Sequence, residues 1–533
     1  MRLFPRVGQH LLRNSEQPTV KIASPGFTNW VLMVVLGTIL SVSSGSIHAI
    51  VAQSNPETVA LEGFDRYALD SMQSLHAPGV AVGVILRGKI VLAKGYGVKD
   101  ICCDSPVGAN TLFDIASMTK SFTTTAMAVL VDQGKLDWNK PVRDYLPWFE
   151  MYDPIATHLV TPRDLVAHRC GLPTHDFLRF STYLSREELV RRVRYLQPNH
   201  SFRDVYEYNN ILYATAGFLA GEVAGTSWEE LVKQDVFAPL GMTGSNTSAV
   251  EIQKASDFAR PHALRAGVVS GIPFYEYQPF GVGPNGAVNS SVNDMLKYLA
   301  FHLGDGTANG RAIVSPAQMR QLHAPVSATP SGGYALGWNT DYYRGHFLLW
   351  HSGSINGFTS RMAIAPNEQI GIVVLTNLDR SPLPQVLADT LLDRLLGLEA
   401  KDHLQQAIRN LAELQASTDT GNADLESHRV PGAKPTLELS AYAGSYFHPA
   451  YGTINVETKG DLLLVKFDAV SIPMKHYNYD TFEMDMDAVL GMDGADGKHR
   501  LAQFRIDAFG KVNELFLPLE PTVEPFVFVR QSK

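Results

Sequence analysis

Three short patterns in the chain could do chemistry. The first is Ser117-Met118-Thr119-Lys120, the only Ser-x-x-Lys present. Small and apolar residues follow from Thr123 to Val131, the composition of a buried helix. Helical positions three apart share one face, a turn from each other, so the Lys120 amine can reach the Ser117 hydroxyl. A serine hydroxyl is a weak nucleophile until a neighbouring base takes its proton. A lysine desolvated on an apolar helix has its pKa lowered towards that task. The start of the helix also aims amide N–H groups at Ser117, where negative charge would develop. Alone the pattern decides little, since a chain of this length holds about one by chance at average composition.

The second pattern is Tyr208-Asn209-Asn210, the only Tyr-x-Asn, at the entrance to an apolar helix from Ile211 to Ala224. A tyrosine shuttles protons where a cation lowers its pKa, and Lys120 could be that cation. The same residues also suit a loop whose tyrosine packs and whose asparagine caps the helix. The third is His351-Ser352-Gly353-Ser354, which follows the apolar run Phe347–Trp350 and reads as the displayed edge of a sheet. The other His-x-Gly, His302-Leu303-Gly304, reads as a helix end, with a glycine cap and a histidine facing the dipole. His168 and His175 read as hydrogen-bonded structural residues. Gly281–Gly286 is a backbone-dominated loop. It is not a phosphate cradle, because no strand precedes it and no lysine follows in register.

The elements that must position these residues can be read in outline. Residues 53–400 hold an apolar hairpin (Val80–Leu86 and Ile90–Tyr96 around Arg87-Gly88-Lys89) and a proline-led helix over Thr161–His168. Strand-like runs follow at Phe347–Trp350, Arg361–Ala365 and Ile370–Thr376, and a closing helix at Val386–Leu398. Residues 401–434 are polar, helical to Ala416 and then rich in Ser, Thr, Gly, Asn and Asp, which predicts a linker. From 435 to 533 short alternating runs separated by Gly, Asp and Pro turns predict a small all-β barrel or sandwich. Ahead of all this, residues 1–52 carry Arg2, Arg6, Arg13 and Lys21, then the apolar Trp30–Leu40, then small residues. That is the layout of a signal peptide or signal anchor. The expected protein is therefore exported, periplasmic or extracellular, either free or tethered to the membrane by residues around 30–52. The 533 residues carry a net charge of −8 spread along the chain, so nucleic acid is not an expected partner. Cys102, Cys103 and Cys170 give no disulfide framework, and no Cys or His pair has ligand spacing. No metal or cofactor is expected.

The three patterns occur in a fixed order, together with Phe113-Asp114-Ile115-Ala116-Ser117, Asp132-Gln133-Gly134-Lys135-Leu136, Thr161–Pro173 and His351–Phe358. Over about residues 57–398 the chain resembles the serine β-lactamase-like family: class C β-lactamases, D-alanyl-D-alanine carboxypeptidases and the esterases on that fold. The tail from about Pro435 resembles the small β-barrel domains appended to some D-stereospecific peptidases of that family. The resemblance implies an α+β fold, an antiparallel sheet flanked by helices with a helical lobe beside it. It also implies that Ser117 forms an acyl-enzyme, Lys120 activates it and Tyr208 relays a proton to the leaving group. Asn210 would bind the substrate amide. His351, Ser352, Gly353 and Ser354 would line the substrate strand, with the N–H groups of Ser117 and Ser354 as oxyanion hole. Two departures bear on substrate. Many β-lactamases and transpeptidases have lysine where His351 stands, and a histidine of ordinary pKa is mostly neutral at pH 7, a weaker carboxylate anchor. Class C enzymes place an asparagine and an arginine where Pro382 and Gln385 lie. The expected substrate is a small molecule or short peptide: a D-amino-acid peptide, an amide or an ester. A class C-like β-lactamase, and a penicillin-binding protein that acylates without turnover, are the alternatives.

Overall fold

The structure, a computed structural model, describes residues 60–275, 281, 283–486 and 501–532. The leader expected over residues 1–52 lies outside them. The main sheet has nine strands among the described residues. β1 (Gly79–Leu86), β2 (Lys89–Asp100) and β3 (Cys103–Pro106) come early in the chain. β4 (Ser327–Thr329), β5 (Gly332–Tyr334), β6 (Asn339–Tyr343), β7 (His346–Ile355), β8 (Phe358–Ala365) and β9 (Ile370–Thr376) come late. In space they run β4-β5-β6-β7-β8-β9-β1-β2-β3, and every pairing is antiparallel.

β1 reads Gly-Val-Ala-Val-Gly-Val-Ile-Leu and is buried throughout, because both faces of its sheet are covered. Val80, Val82, Val84 and Leu86 share a cluster with Phe64 and Ala68 from the helix α1 (Phe64–Ser74). Ala81 and Ile85 face the opposite cluster, which contains Phe122 and Met127 of α2 (Thr119–Asp132), Leu212 of α3 (Asn210–Ala224) and Leu296 of α4 (Val292–Leu303). Leu387 and Leu391 of α5 (Leu383–Leu395) complete the first cluster. Burying one such side chain contributes about 1.5–3 kcal/mol, so β1 and β9 form the firm centre from which β7 and β8 extend. Arg87 (φ 50°) and Gly88 (φ 77°) make the β1–β2 turn, the left-handed pair whose twist matches a two-residue hairpin.

Between β3 and residue 261 the longer described elements are helices, and they form a second lobe. One short helix there, Pro162–Val166, begins with a reciprocal cap between Thr161 and Asp164. The buried Asp164 carboxylate also receives Arg169 (2.5 Å) and Arg203 (2.6 Å), tying that helix to the loop that leads into α3.

The expected linker is structured. A single helix, α6, runs from His403 to Ser427, past Ala416. Asp402 caps it by accepting from the Gln405 N–H, and the Thr418 and Thr420 hydroxyls donate to carbonyls four residues back. At its far end Leu425 is buried and its carbonyl accepts from Tyr477. Anchoring at both ends outweighs the low helix propensity of Gly421 and Asn422. Beyond it, eight strands close into an antiparallel barrel: β10 (Gly444–His448), β11 (Gly452–Lys459), β12 (Leu462–Lys466), β13 (Ser471–Asn478), β14 (Thr481–Met484), β15 (Leu501–Ile506), β16 (Val512–Leu517) and β17 (Phe526–Arg530). Pairing of Tyr446 with Arg530 and of Phe447 with Val529 joins the first strand to the last, which removes the exposed edges of a sandwich. Among the described residues no helix is long and apolar enough to cross a membrane.

β7 and β8 press against the turn that carries Ser117. The Ser360 hydroxyl donates to the Ile115 carbonyl at 2.8 Å. A Cβ on Gly353 would lie 2.2 Å from that carbonyl oxygen and 3.0 Å from the Ala116 Cβ. Gly353→Ala therefore drives backbone from backbone, and overpacking of this kind costs about 1–3 kcal/mol. Calorimetry of the variant is expected to show a lowered midpoint, corresponding to a stability loss of about 1–3 kcal/mol. An unchanged midpoint would mean that the strand and the turn are not held in contact.

Candidate active site

Ser117 occupies a single helical turn, Ala116–Met118, immediately before α2. Ala116 has φ 47°, the left-handed region, a strain of about 1–3 kcal/mol that persists only where surroundings enforce it. They do so here. The Ala116 N–H donates to Asp114 Oδ1 (2.7 Å) and the Ile115 N–H to the Val288 carbonyl (3.0 Å).

Lys120 lies in the first turn of α2 with its side chain fully buried. Its Nζ is 3.1 Å from Ser117 Oγ, 2.7 Å from Asn210 Oδ1 and 3.1 Å from the Asn285 carbonyl oxygen. Burial pushes the amine well below its usual pKa; the nearby Arg179 charge adds to the shift and Asp176 opposes it. An uncharged amine has two N–H bonds and one lone pair. Around Nζ stand two carbonyl acceptors and one hydroxyl. An amine that has lost its proton can satisfy Asn210 and Asn285 with its two N–H bonds and turn its lone pair to the Ser117 O–H.

Asn210 is oriented from behind. Its Nδ2 donates to both oxygens of Asp176 (2.9 and 3.2 Å), which turns Oδ1 towards Lys120. Asp176 is itself gripped by Arg179 at 2.7 and 3.2 Å. Asn285 contributes its backbone carbonyl from the short turn Gly283–Gly286, whose Pro284 carbonyl accepts from the Thr123 hydroxyl on α2.

Tyr208 donates its hydroxyl to Ser117 Oγ at 2.9 Å. The sequence suggests that Lys120 lowers the pKa of this phenol. The structure corrects that: Lys120 Nζ stands over the ring face, 4.7 Å from its centroid, and burial raises the phenol pKa, against a smaller lowering by the Ser117 hydrogen bond. Tyr208 is thus a neutral donor at ordinary pH. His168 seats it. The two rings lie 4.4 Å apart, and the Asn209 N–H donates to His168 Nδ1 at 3.0 Å. Asn209 in turn caps α3 by accepting from the Leu212 N–H.

On β7, His351 is 3% exposed. Its Nδ1 donates to the Ser352 carbonyl (2.6 Å) and its Nε2 accepts from the Tyr334 hydroxyl (3.2 Å). Burial, with Lys120 nearby, brings its pKa down to about 3. Ser352 and Ser354 point to the exposed face and Gly353 to the buried one. The β6 pairing stops at Trp350, so from His351 to Ile355 that edge of β7 has no strand partner among the described residues, and its backbone groups face outward.

Lys120 and Tyr208 therefore meet at the Ser117 hydroxyl, Asn210 holds Lys120 from the other side, and Gly353 abuts the turn that carries Ser117. Asp176, Arg179, Asn285 and Tyr334 are additions that the sequence did not single out. Asn285 had a signal, since its Gly-Pro-Asn-Gly setting marks a loop acting through backbone. The others lie in unremarkable short elements. Among the described residues, the one grouping of metal-ligand side chains is Asp100, Cys102 and Cys103, in the exposed β2–β3 connection, outside this constellation.

Comparison with known proteins agrees with this architecture. The family model described as Beta-lactamase matches residues 64–396, and one described as a domain of unknown function, DUF3471, matches residues 428–530. The chain is 29% identical over 443 residues to the unguisins hydrolase ungD of Aspergillus violaceofuscus, spanning 76% of this chain and 78% of that one. It is 25% identical over 322 residues to Protein flp of Staphylococcus aureus, spanning 59% and 63%. Among solved structures, the octameric penicillin-binding protein homologue from Pyrococcus abyssi superposes with a TM-score of 0.58 at 23% identity, over 88% of this chain and 99% of that chain. A class C beta-lactamase from Rhodobacter sphaeroides gives 0.53 at 22% identity, over 64% and 100%. At those identities the structures speak to the fold. With the family match running from α1 to the end of α5, the chain belongs to the Beta-lactamase family, a serine β-lactamase-fold hydrolase family, and carries a closed β-barrel after that domain.

Proposed function

We propose that the protein is an exported serine hydrolase that works through an acyl-enzyme at Ser117 on D-amino-acid peptides, amides or esters. The observation that carries this reading is the position of Ser117 Oγ between Lys120 Nζ (3.1 Å) and the Tyr208 hydroxyl (2.9 Å). The neutral Lys120 amine takes the Ser117 proton as Oγ bonds to the substrate carbonyl carbon, and the carbonyl electron pair moves onto oxygen. The N–H groups of Ser117 and Ser354 receive that oxyanion; losing one such donor raises a barrier of this kind by about 3 kcal/mol. As the tetrahedral species collapses, the bond to the leaving nitrogen or oxygen breaks. The leaving group takes the Tyr208 proton, which the Lys120 ammonium replaces. Water then attacks the ester with Lys120 and Tyr208 in the same roles, releasing acid and restoring Ser117. The unpaired edge of β7 suits an extended substrate, which can add to it as a strand.

His351 supports the substrate class. It is uncharged and both its ring nitrogens are engaged, so a substrate carboxylate, whether of a β-lactam or of a peptide C-terminus, meets no cation where many family β-lactamases offer lysine, which favours amides and esters without one. The hydrolase relative ungD supports hydrolysis as the reaction class. Export rests on the basic-then-apolar leader of residues 1–52.

Four outcomes test the reading. Ser117→Ala should abolish both turnover and labelling by a fluorophosphonate, with the unfolding midpoint retained; full activity in that variant would sink the assignment. Lys120→Arg places a group that cannot lose its proton beside the hydroxyl, so the acylation rate should fall about 10²–10⁴-fold. Protonated Lys120 is no base, so kcat/KM should be lost as pH falls through a single acid limb. Because burial lowers the Lys120 pKa, that limb should lie well below the ordinary lysine range and the profile should stay flat above it; a limb at the ordinary lysine value would contradict a desolvated base. Finally, a D-alanine amide and a nitrophenyl ester should show higher kcat/KM than a chromogenic cephalosporin. Preference for the cephalosporin would make the protein a β-lactamase, and a penicillin adduct at Ser117 that persists for hours would make it a penicillin-binding protein without turnover.

A further inference from the structure

The barrel touches the site through a buried carboxylate. Glu520, between β16 and β17, is 4% exposed. Its Oε2 accepts from the Thr174 hydroxyl (2.9 Å) and the His175 N–H (2.8 Å), both on the hydrolase domain. Its Oε1 accepts from the Thr522 hydroxyl (3.1 Å) and N–H (3.4 Å), within the barrel. His175 is buried with φ 44° and immediately precedes the helix Asp176–Ser181. Asp176 opens that helix, and it is the carboxylate that turns Asn210 towards Lys120.

Other barrel groups hold the same helix. Phe177 packs on Phe467 (4.8 Å between rings) and Tyr451 (6.1 Å), and His175 packs on Phe526 (5.8 Å). The Ala469 N–H donates to the Ser181 carbonyl at 3.0 Å. A helix of six residues is too short to hold itself in water. Its place is set by what it packs on, and on its outer side that is the barrel.

We propose that the barrel is a working part of the hydrolytic site, and that Glu520 is a positioning residue that fixes, through the Thr174–His175 turn, the Asp176 carboxylate orienting Asn210 onto Lys120. This rests on the reading of Ser117 and Lys120 as the acylating pair. Without Glu520 the turn is free to shift, Asn210 loses its fixed rotamer, and the Lys120 lone pair is no longer held on the Ser117 proton. Among the described residues, the groups facing Lys120 are Asp176 and Arg179 from this helix, His168 from the loop after Pro162–Val166, Tyr208 just before α3 and Tyr213 within it, and His351 on β7. Burial and Arg179 depress the amine by more than Asp176, on the same helix, raises it, so a loosened helix lets its pKa rise.

The test uses the full chain, a fluorophosphonate to measure the rate of Ser117 labelling, and a nitrophenyl ester for turnover. Glu520→Ala is expected to lower labelling and kcat about 10–100-fold, the usual effect of losing a group that orients a site residue, with KM little changed and the acid limb of the pH profile moved up. Glu520→Gln, which keeps an acceptor oxygen on the same stem, should recover most of the rate. Thr174→Val, which removes one donor and leaves the barrel untouched, should show a smaller loss in the same direction. A folded Glu520→Ala protein with unaltered labelling, kcat and pH limb would overturn the proposal, as would a change in KM alone. If Glu520→Ala does not fold, Thr174→Val decides the matter, and a wild-type rate and limb there overturns it equally. Turnover retained in Ser117→Ala would instead reject the underlying assignment of the site.

Discussion

A buried amine with no carboxylate at hydrogen-bond distance among the described residues is the constraint around which this site is built. Lys120 has two ways to tolerate its position. Kept as an ammonium, it would forfeit hydration worth several kcal/mol even after the protein relaxes. Stripped of its proton at pH 7, it forfeits about 5 kcal/mol at an ordinary lysine pKa, at roughly 1.4 kcal/mol per unit. Desolvation and the Arg179 charge both move the balance towards the second, and Asp176 opposes them. Neutral acceptors then become necessary, because a carboxylate in contact would restore the charge. The surrounding structure supplies an amide oxygen and a main-chain carbonyl, and Asp176 stays one residue further away behind Asn210.

That arrangement explains which parts of the site the sequence reveals. Ser117 and Lys120 are three residues apart on one helix, and Tyr208 and Asn210 flank the start of another, so local spacing exposes them. The hairpin of β1 and β2 is equally local, and its Arg87-Gly88 turn can be read directly. Asp176 meets Asn210 across 34 residues, and Glu520 meets His175 across 345. No periodicity records such encounters. The helix holding Asp176 is too brief to leave a pattern of its own.

Two differences between pattern and structure, and one choice that the pattern leaves open, have the same origin. The polar stretch after Ala416 lacks the composition of a good helix, yet α6 persists because its ends are fixed by burial and hydrogen bonds elsewhere. Alternating strands in the tail suit a sandwich or a barrel equally; closure depends on the pairing of β10 with β17, the two ends of the domain. Proximity of a lysine to Tyr208 was inferred correctly, but the consequence depends on whether nitrogen meets hydroxyl or ring face, which composition does not encode.

The helix α6 carries a consequence of its own. Its start is fixed to α5 by His403, 2.8 Å from Asp393, and its end to the barrel through Leu425 and then Arg429, 2.6 Å from Glu483. Between these points lie about 37 Å of mostly exposed helix, at 1.5 Å and about 100° per residue. It therefore behaves as a keyed shaft. Substitutions along its surface leave the two ends in phase, whereas one inserted or deleted residue turns the barrel by about a quarter of a revolution and carries Glu520 off Thr174. Evolution can freely repaint this helix, but its length is quantised.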